Sequence, residues 1–227
     1  MNGGQRREAI VTAALPLFAR NGFARTTTRE LAKAAGVSEA LIYKHFPSKE
    51  SLYTQIQAYV YRGRDRILQK LSALKPSTST LIYVIYYIVR TNLICCGREC
   101  VSMELRQRML LNSCIEDGSF ARFMFHNRFS DYMARITASV DAAIAAGDLA
   151  DNPKRKRNRL FFAHHLATMI STMHFPGGAV IDYGASRAGL LHEVVLFCLR
   201  GMGLKESAIK QYYDPKALEL FFGGDTQ

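Results

Sequence analysis

Four groups of residues in this 227-residue chain have the types and spacing that a chemical site would use. Cys95, Cys96 and Cys100 set thiols one helical turn apart, with Cys114 near after a turn. That is the pattern of a metal or redox sensor, and equally of small buried hydrophobes in an apolar segment. His164-His165 lies among Phe161, Phe162, Leu166 and Met169, but adjacent histidines lack the i, i+4 spacing that brings two imidazoles to one metal. The run Lys154-Arg155-Lys156-Arg157, with Arg159, opens a helix after Pro153, where positive charge opposes the helix dipole; it reads as a solvated face or as a site for an anionic effector.

The fourth group carries more. In Thr27-Thr28-Arg29-Glu30 a hydroxyl residue is followed three positions later by Glu, a capping box that starts a helix at a defined residue. The helix 28–35 turns Leu31 and Ala32 inward and meets Gly36-Val37-Ser38. Gly36 takes positive φ without penalty, as a sharp turn between helices requires, and Ser38 caps the next helix. There Leu41, Ile42 and Phe46 face inward while Glu39, Ala40, Tyr43 and Lys44 face out. Two short helices joined so tightly, with small Ala32 at the crossing, make a helix-turn-helix.

The residues from Gly22-Phe23 through Thr26-Thr27-Thr28-Arg29-Glu30-Leu31-Ala32 and Gly36-Val37-Ser38-Glu39-Ala40-Leu41-Ile42-Tyr43-Lys44-His45-Phe46-Pro47 to Tyr53 resemble the DNA-binding domain of TetR-family transcriptional regulators. The resemblance covers about the first fifty-five residues, and beyond them only the helical, proline-punctuated layout is similar. Ala40 stands where many members have glycine, Ile42 where many have leucine, and Pro16 falls inside the first helix. The resemblance implies a homodimeric repressor on a palindromic double-stranded operator, released by a small-molecule effector in the C-terminal domain. It implies phosphate contacts by Thr27 and Thr28 at a helix N-terminus, base contacts by Ser38, Glu39 and Ala40 in the major groove, with Glu39 alternatively only repelling phosphate, and, along Tyr43, Lys44 and His45, contacts of the Tyr and His positions with the operator backbone. Lys49, opening the fourth helix, is expected on a phosphate. The alternative for Thr27 is a cap alone, and for Tyr43 a packed aromatic with its hydroxyl at the rim.

The elements that must position these residues are helices throughout. The first spans about residues 5–20, with Ile10, Ala14, Leu17 and Phe18 on one face, Pro16 bending it and Asn21-Gly22 ending it. Short helices cover 28–35 and 39–45, and a long one, capped by Ser48, runs over 49–74. Segments 78–96, 99–113, 117–146, 153–174, 185–201 and 205–222 follow. The stretch 81–89 is β-branched and aromatic, yet no second strand could pair with it, so it reads as the central helix of a bundle. The predicted fold class is all-α: a three-helix DNA-binding domain over residues 1–50 and a helical ligand-binding and dimerisation domain over 51–227.

Composition agrees. Lys+Arg 30 against Asp+Glu 19 gives a net charge of +11, and residues 1–50 hold eight basic and four acidic side chains, twice the positive density of the rest. Such charge favours an anionic partner and says nothing about fold. The odd cysteine count and the absence of an apolar leader point to a reducing cytoplasm, and Leu81–Val89 is far short of the ~20 residues a membrane span needs.

The C-terminal part lacks a Gly-rich phosphate loop, a nucleophile elbow and an HExxH motif, so catalytic residues, metal ligands and cofactors are assigned nowhere and the chain is read as non-enzymatic. Its aromatic and sulfur-rich content, Tyr83, Tyr86, Tyr87, Met103, Phe120, Phe123, His126 and Met169, suits a cavity for a hydrophobic or aromatic ligand. Apolar stripes on the last two long helices, Phe161, His165 and Met169 on one and Leu190, Leu191, Val194, Val195 and Cys198 on the other, are expected to pair across a two-fold axis. The rival readings are a DNA-binding protein without an effector and a metabolic enzyme that carries a helix-turn-helix.

Overall fold

The computed structural model describes residues 2–60, 65–94, 98–127, 130–149, 156–174 and 179–223. These form α1 (Gly3–Arg25), α2 (Thr28–Ala35), α3 (Glu39–His45), α4 (Lys49–Val60), α5 (Asp65–Ala73), α6 (Thr78–Leu93), α7 (Arg98–Ile115), α8 (Ser119–Asn127), α9 (Ser130–Ala145), α10 (Lys156–Thr172), α11 (Arg187–Gly201), α12 (Glu206–Tyr212) and α13 (Pro215–Gly223). The fold class is all-α, as the periodicity predicts; among the described residues the sole β feature is an isolated bridge between Leu149 and Leu204. Of the residues singled out above, Cys95, Cys96, Lys154 and Arg155 lie outside the described residues, as do the side chains of Cys100, Met103 and Lys156.

The chain divides into two compact units, Met1–Arg64 with Gly97–Arg128, and Asp65–Cys96 with Phe129–Gln227. The first therefore draws α7 and α8 from the middle of the chain into the unit that holds the helix-turn-helix, well beyond residues 1–50. Its core is built on α1, whose Ile10, Val11, Ala14, Leu15 and Phe18 recur at helical spacing and are all buried against α2, α4 and α7. Asn21-Gly22 ends the first regular stretch of α1, as the sequence predicts. Gly22 alone leaves helical dihedrals, at φ 78° and ψ 175°, and the helix resumes to Arg25. That conformation is open essentially to glycine only. Pro16 lies inside α1 with helical dihedrals.

The second unit is centred on α6, buried along its length from Leu81 to Val89. The helices α9, α10 and α11 surround it. Segment 117–146 is two helices, α8 and α9, and segment 205–222 is also two, because Asp214 stops α12 and caps α13 through the amides of Lys216 at 2.9 Å and Ala217 at 3.3 Å. The expected helix 49–74 is described as α4 and α5, with 61–64 outside the described residues.

The apolar stripe of α11 corrects the expected dimer surface. Leu190, Leu191, Val194, Val195 and Cys198 are all buried in this unit's own core, where α11 packs on α6. Phe161 also packs partly against that core. A stripe already used by α6 has no surface left for a partner. What α10 and α11 leave in solvent is Phe162 (64% exposed), Met169 (52%) and Phe197 (66%), with His165 exposed beside them in sequence.

Candidate nucleic-acid interface

The start of α2 is fixed by its capping box. The Thr27 hydroxyl accepts from the Glu30 amide at 3.3 Å and donates to the Glu30 carboxylate at 2.8 Å, while the Thr27 amide donates to that carboxylate at 2.8 Å. These bonds, the amide's foremost, hold the Glu30 carboxyl below the ordinary carboxylate range. Both Thr27 donors are thus used inside the cap. The amides of Thr28 and Arg29 take no part in it, so the dipole's positive end is presented there.

The turn that follows has the geometry its sequence predicts. Gly36 caps α2 in the left-handed region at φ 64° and ψ 34°, and its amide and that of Val37 close on Lys33 and Ala32. Ser38 then caps α3 by accepting from the Leu41 amide at 3.2 Å. Ile42 and Phe46 are buried in the first core, Leu41 is half-buried, and Ser38, Glu39, Ala40, Tyr43 and Lys44 form the exposed side of α3. Half-buried Thr28 meets that side: its hydroxyl lies 3.2 Å from the Tyr43 hydroxyl. The structure therefore brings Thr28, Tyr43 and the first turn of α3 together. Tyr43 is 49% exposed, so it is not a packed core aromatic.

Two residues are held differently from what their positions suggest. Half-buried His45 gives its carbonyl to the Arg7 guanidinium at 3.0 Å, and Arg7 also lies 4.6 Å over the Phe46 ring. Arg7, from the first turns of α1, thereby fixes the end of α3. No local spacing signals this, since the partners are 38 residues apart. Lys49 is turned inward. Its ammonium donates to the carbonyls of Phe23 at 3.0 Å and Thr26 at 3.1 Å and sits 4.3 Å over the Phe23 ring. The expectation of a free Lys49 on a phosphate is corrected on that ground: its cation neutralises the carbonyl end of α1. Ser48 does cap α4, exchanging bonds with Ser51 at 3.2 Å in both directions.

The residues expected to line one ligand cavity do not gather into one set. Tyr83, Tyr86 and Tyr87 pack with Phe221 and Phe222 of α13 in the second unit; Phe222 lies 5.5 Å from Tyr86 and 5.9 Å from Tyr87, ring to ring. Phe120 and Phe123 belong to the core of the first unit, and exposed His126, also there, bonds the Arg122 carbonyl at 2.9 Å through Nδ1. Met169 is exposed on α10. Among the described residues no cluster of His, Cys, Asp or Glu has metal-holding geometry, and no described helix is long and apolar enough to cross a membrane.

Residues 10–56 match the family model described as bacterial regulatory proteins, tetR family. Among curated proteins, the nucleoid occlusion factor SlmA of Salmonella paratyphi B is 31% identical over 88 residues, 37% of this chain and 43% of that one. The chain thus spans less than half the length of that relative. Among solved structures, AibR in complex with isovaleryl coenzyme A and operator DNA has a TM-score of 0.64 at 19% identity, covering 85% of this chain and 97% of that one. A tetR-family bacterial regulatory protein from Rhodococcus RHA1 has a TM-score of 0.59 at 20% identity, over 89% and 99% of the two chains. At those identities the likeness is one of fold, and it extends past the helix-turn-helix into the helices of both units. The matched segment opens at Ile10, where α1 enters the first core, and closes at Ile56, buried in α4, so it encloses the capped turn and the exposed side of α3 described above. It is by this segment that the chain resembles the bacterial regulatory proteins of the tetR family, and with the solved structures it shares the fold.

Proposed function

We propose that the chain is a homodimeric repressor that binds a palindromic double-stranded operator and leaves it when a small hydrophobic or aromatic ligand binds. The observation that carries this reading is the exposed side of α3, where Ser38, Glu39, Ala40, Tyr43 and Lys44 face solvent while Ile42 and Phe46 anchor the helix from behind. A short helix held so firmly on one side and left polar on the other is suited to the major groove. Thr28, with its amide at the α2 N-terminus and its hydroxyl on Tyr43, takes the adjacent phosphate, and Thr27 serves it as the cap. Ser38, Glu39 and Ala40 read base edges, and Tyr43, Lys44 and His45 follow the backbone.

Two copies are needed because one three-helix domain reads one half-site, and half-sites lie about 34–36 Å apart along the duplex. The apolar residues that α10 and α11 leave exposed, Phe162, Met169 and Phe197, supply the pairing surface. On the ligand side, AibR supports the reading as a regulator of similar fold whose structure holds both an acyl-coenzyme A and operator DNA. The tyrosine row of α6, Tyr83, Tyr86 and Tyr87, is the proposed wall for an aromatic or hydrophobic ligand in the second unit. A role on the chromosome places the protein in the cytoplasm, and no enzymatic step is assigned to it.

The test is fluorescence anisotropy of the full chain with duplexes from the DNA upstream of its own coding sequence, with and without candidate metabolites. A saturable, sequence-selective signal abolished by one metabolite class is the expected result. Linkage adds a check, because a ligand that weakens operator binding must itself bind the operator complex more weakly, by the same factor. A selective complex that no metabolite disturbs would favour the effector-independent reading, and no selective complex would sink both.

A further inference from the structure

The connection between α1 and α2 is held from outside itself. Gly22 is buried, and a Cβ added to it would stand 2.0 Å from Oε1 of Glu116; the other oxygen of that carboxylate accepts the Phe23 amide at 3.1 Å. Glu116 follows directly on α7 and keeps its helical turn, its amide donating to the Asn112 carbonyl at 2.9 Å. Asn112 reaches the same stretch of α1, donating to the Ala19 carbonyl at 2.9 Å. From the opposite direction Lys49 takes the Phe23 carbonyl. Phe23 thus has an anion on its N–H and a cation on its C=O, supplied by two different helices. Beyond it, buried Thr26 donates its hydroxyl to the Gly22 carbonyl at 2.7 Å, and Thr27 already caps α2.

We infer that Glu116 is a positioning residue for DNA binding: by accepting the Phe23 amide across Gly22, it fixes the angle at which α1 delivers α2 and α3 to the duplex. Only residues 22–26 run from the break in α1 at Gly22 to the cap of α2 at Thr27, so a rotation at Phe23 is passed on to Thr28 and Tyr43. Charge-assisted bonds to a backbone amide are short-range and directional, which makes a carboxylate at this place an angular constraint more than a store of stability. The bond is exposed, so little folding energy is expected from it. The inference rests on the reading of α2 and α3 as the DNA interface.

The experiment selects a duplex from a random library with the wild-type full chain, then measures affinity for it and melting temperature for wild type, Glu116→Ala and Glu116→Gln. The Gln amide oxygen can still accept the Phe23 N–H. Glu116→Ala should bind about three- to tenfold more weakly with its melting temperature unchanged, and Glu116→Gln should return to within about twofold of wild type. Hydrogen exchange at the Phe23 amide should be faster in the Ala variant and restored in the Gln variant. Equal affinities in all three, or a Gln variant as weak as the Ala variant, would overturn the proposal and leave the DNA reading standing. A melting temperature that falls in step with affinity would reassign Glu116 to folding and also overturn it. If the wild type enriched no duplex, the DNA reading would fall and this proposal with it.

Discussion

The Lys49 ammonium donates to the Phe23 carbonyl at 3.0 Å while lying 4.3 Å over the ring of the same residue. Phe23 in turn packs on Phe18 at 6.1 Å and Tyr53 at 5.0 Å, so one cation ties the end of α1 to the aromatic centre of the first unit. Lys49→Ala removes two charge-assisted bonds and a cation–π contact from a half-buried site. It should lower stability by about 2 kcal/mol, as read by urea denaturation. At a temperature where both proteins are folded, the slope of log affinity against log salt should be that of wild type, because no phosphate contact is lost. A slope reduced by about one unit would return Lys49 to the phosphate backbone.

Tyr43 and Ala40 occupy the same exposed side of α3 but should fail differently. Tyr43→Phe deletes a neutral hydroxyl that lies 3.2 Å from that of Thr28. It should weaken all sequences alike, about two- to tenfold, without altering the salt slope, since an uncharged donor releases no counterions. Substituting Ala40 changes the shape offered to base edges, so it should shift which base is preferred in a selection, by about 1–3 kcal/mol at one position. An Ala40 variant with uniform loss across sequences would remove it from the base-reading set.

The helix-turn-helix was legible because each of its devices is local. The Thr27–Glu30 box, Gly36, and the caps Ser38 and Ser48 all act within three or four residues, where side-chain chemistry decides the geometry. What escaped was non-local. Arg7 on the carbonyl of His45 and Glu116 on the amide of Phe23 join residues 38 and 93 positions apart. Periodicity marked the apolar stripe of α11 correctly, but a stripe carries no label for what covers it, and α6 of the same chain does. The tyrosines of α6 and the phenylalanines of α8 looked like one aromatic set for a similar reason. Composition pools residues that the fold divides between two cores.

The proposed dimer surface makes a contrast between two double variants. Phe162→Glu with Phe197→Glu places charges on residues that are 64% and 66% exposed in the single chain, which should leave the chain folded but monomeric by sedimentation velocity. Leu191→Glu with Val195→Glu buries two unpaired carboxylates in the core and should unfold the second unit outright. A Phe162/Phe197 variant that still sediments as a dimer would move the interface off this face.

Alkaline pH offers a probe of the first unit by itself. Burial, and after it the nearby carboxylates of Asp117 and Glu116, push the Tyr53 hydroxyl well above the ordinary tyrosine range. The folded state therefore holds the phenolic proton more tightly than the unfolded chain does. Stability from Tyr53 is complete below the unfolded value of about 10 and is lost as pH rises past it toward the folded value. Tyr213 is raised for the same leading reason, burial, in the second unit. Wild type should lose melting temperature steeply above about pH 10, and Tyr53→Phe, which has no proton to lose, should remove the share that belongs to the first unit. The hydroxyl is the sole difference, and the ring contacts with Phe18 and Phe23, each at 5.0 Å, are kept. Melting curves recorded from pH 8 to 11.5 for both proteins decide it: parallel losses across that range would mean that Tyr53 ionises as freely in the folded protein as in the unfolded chain.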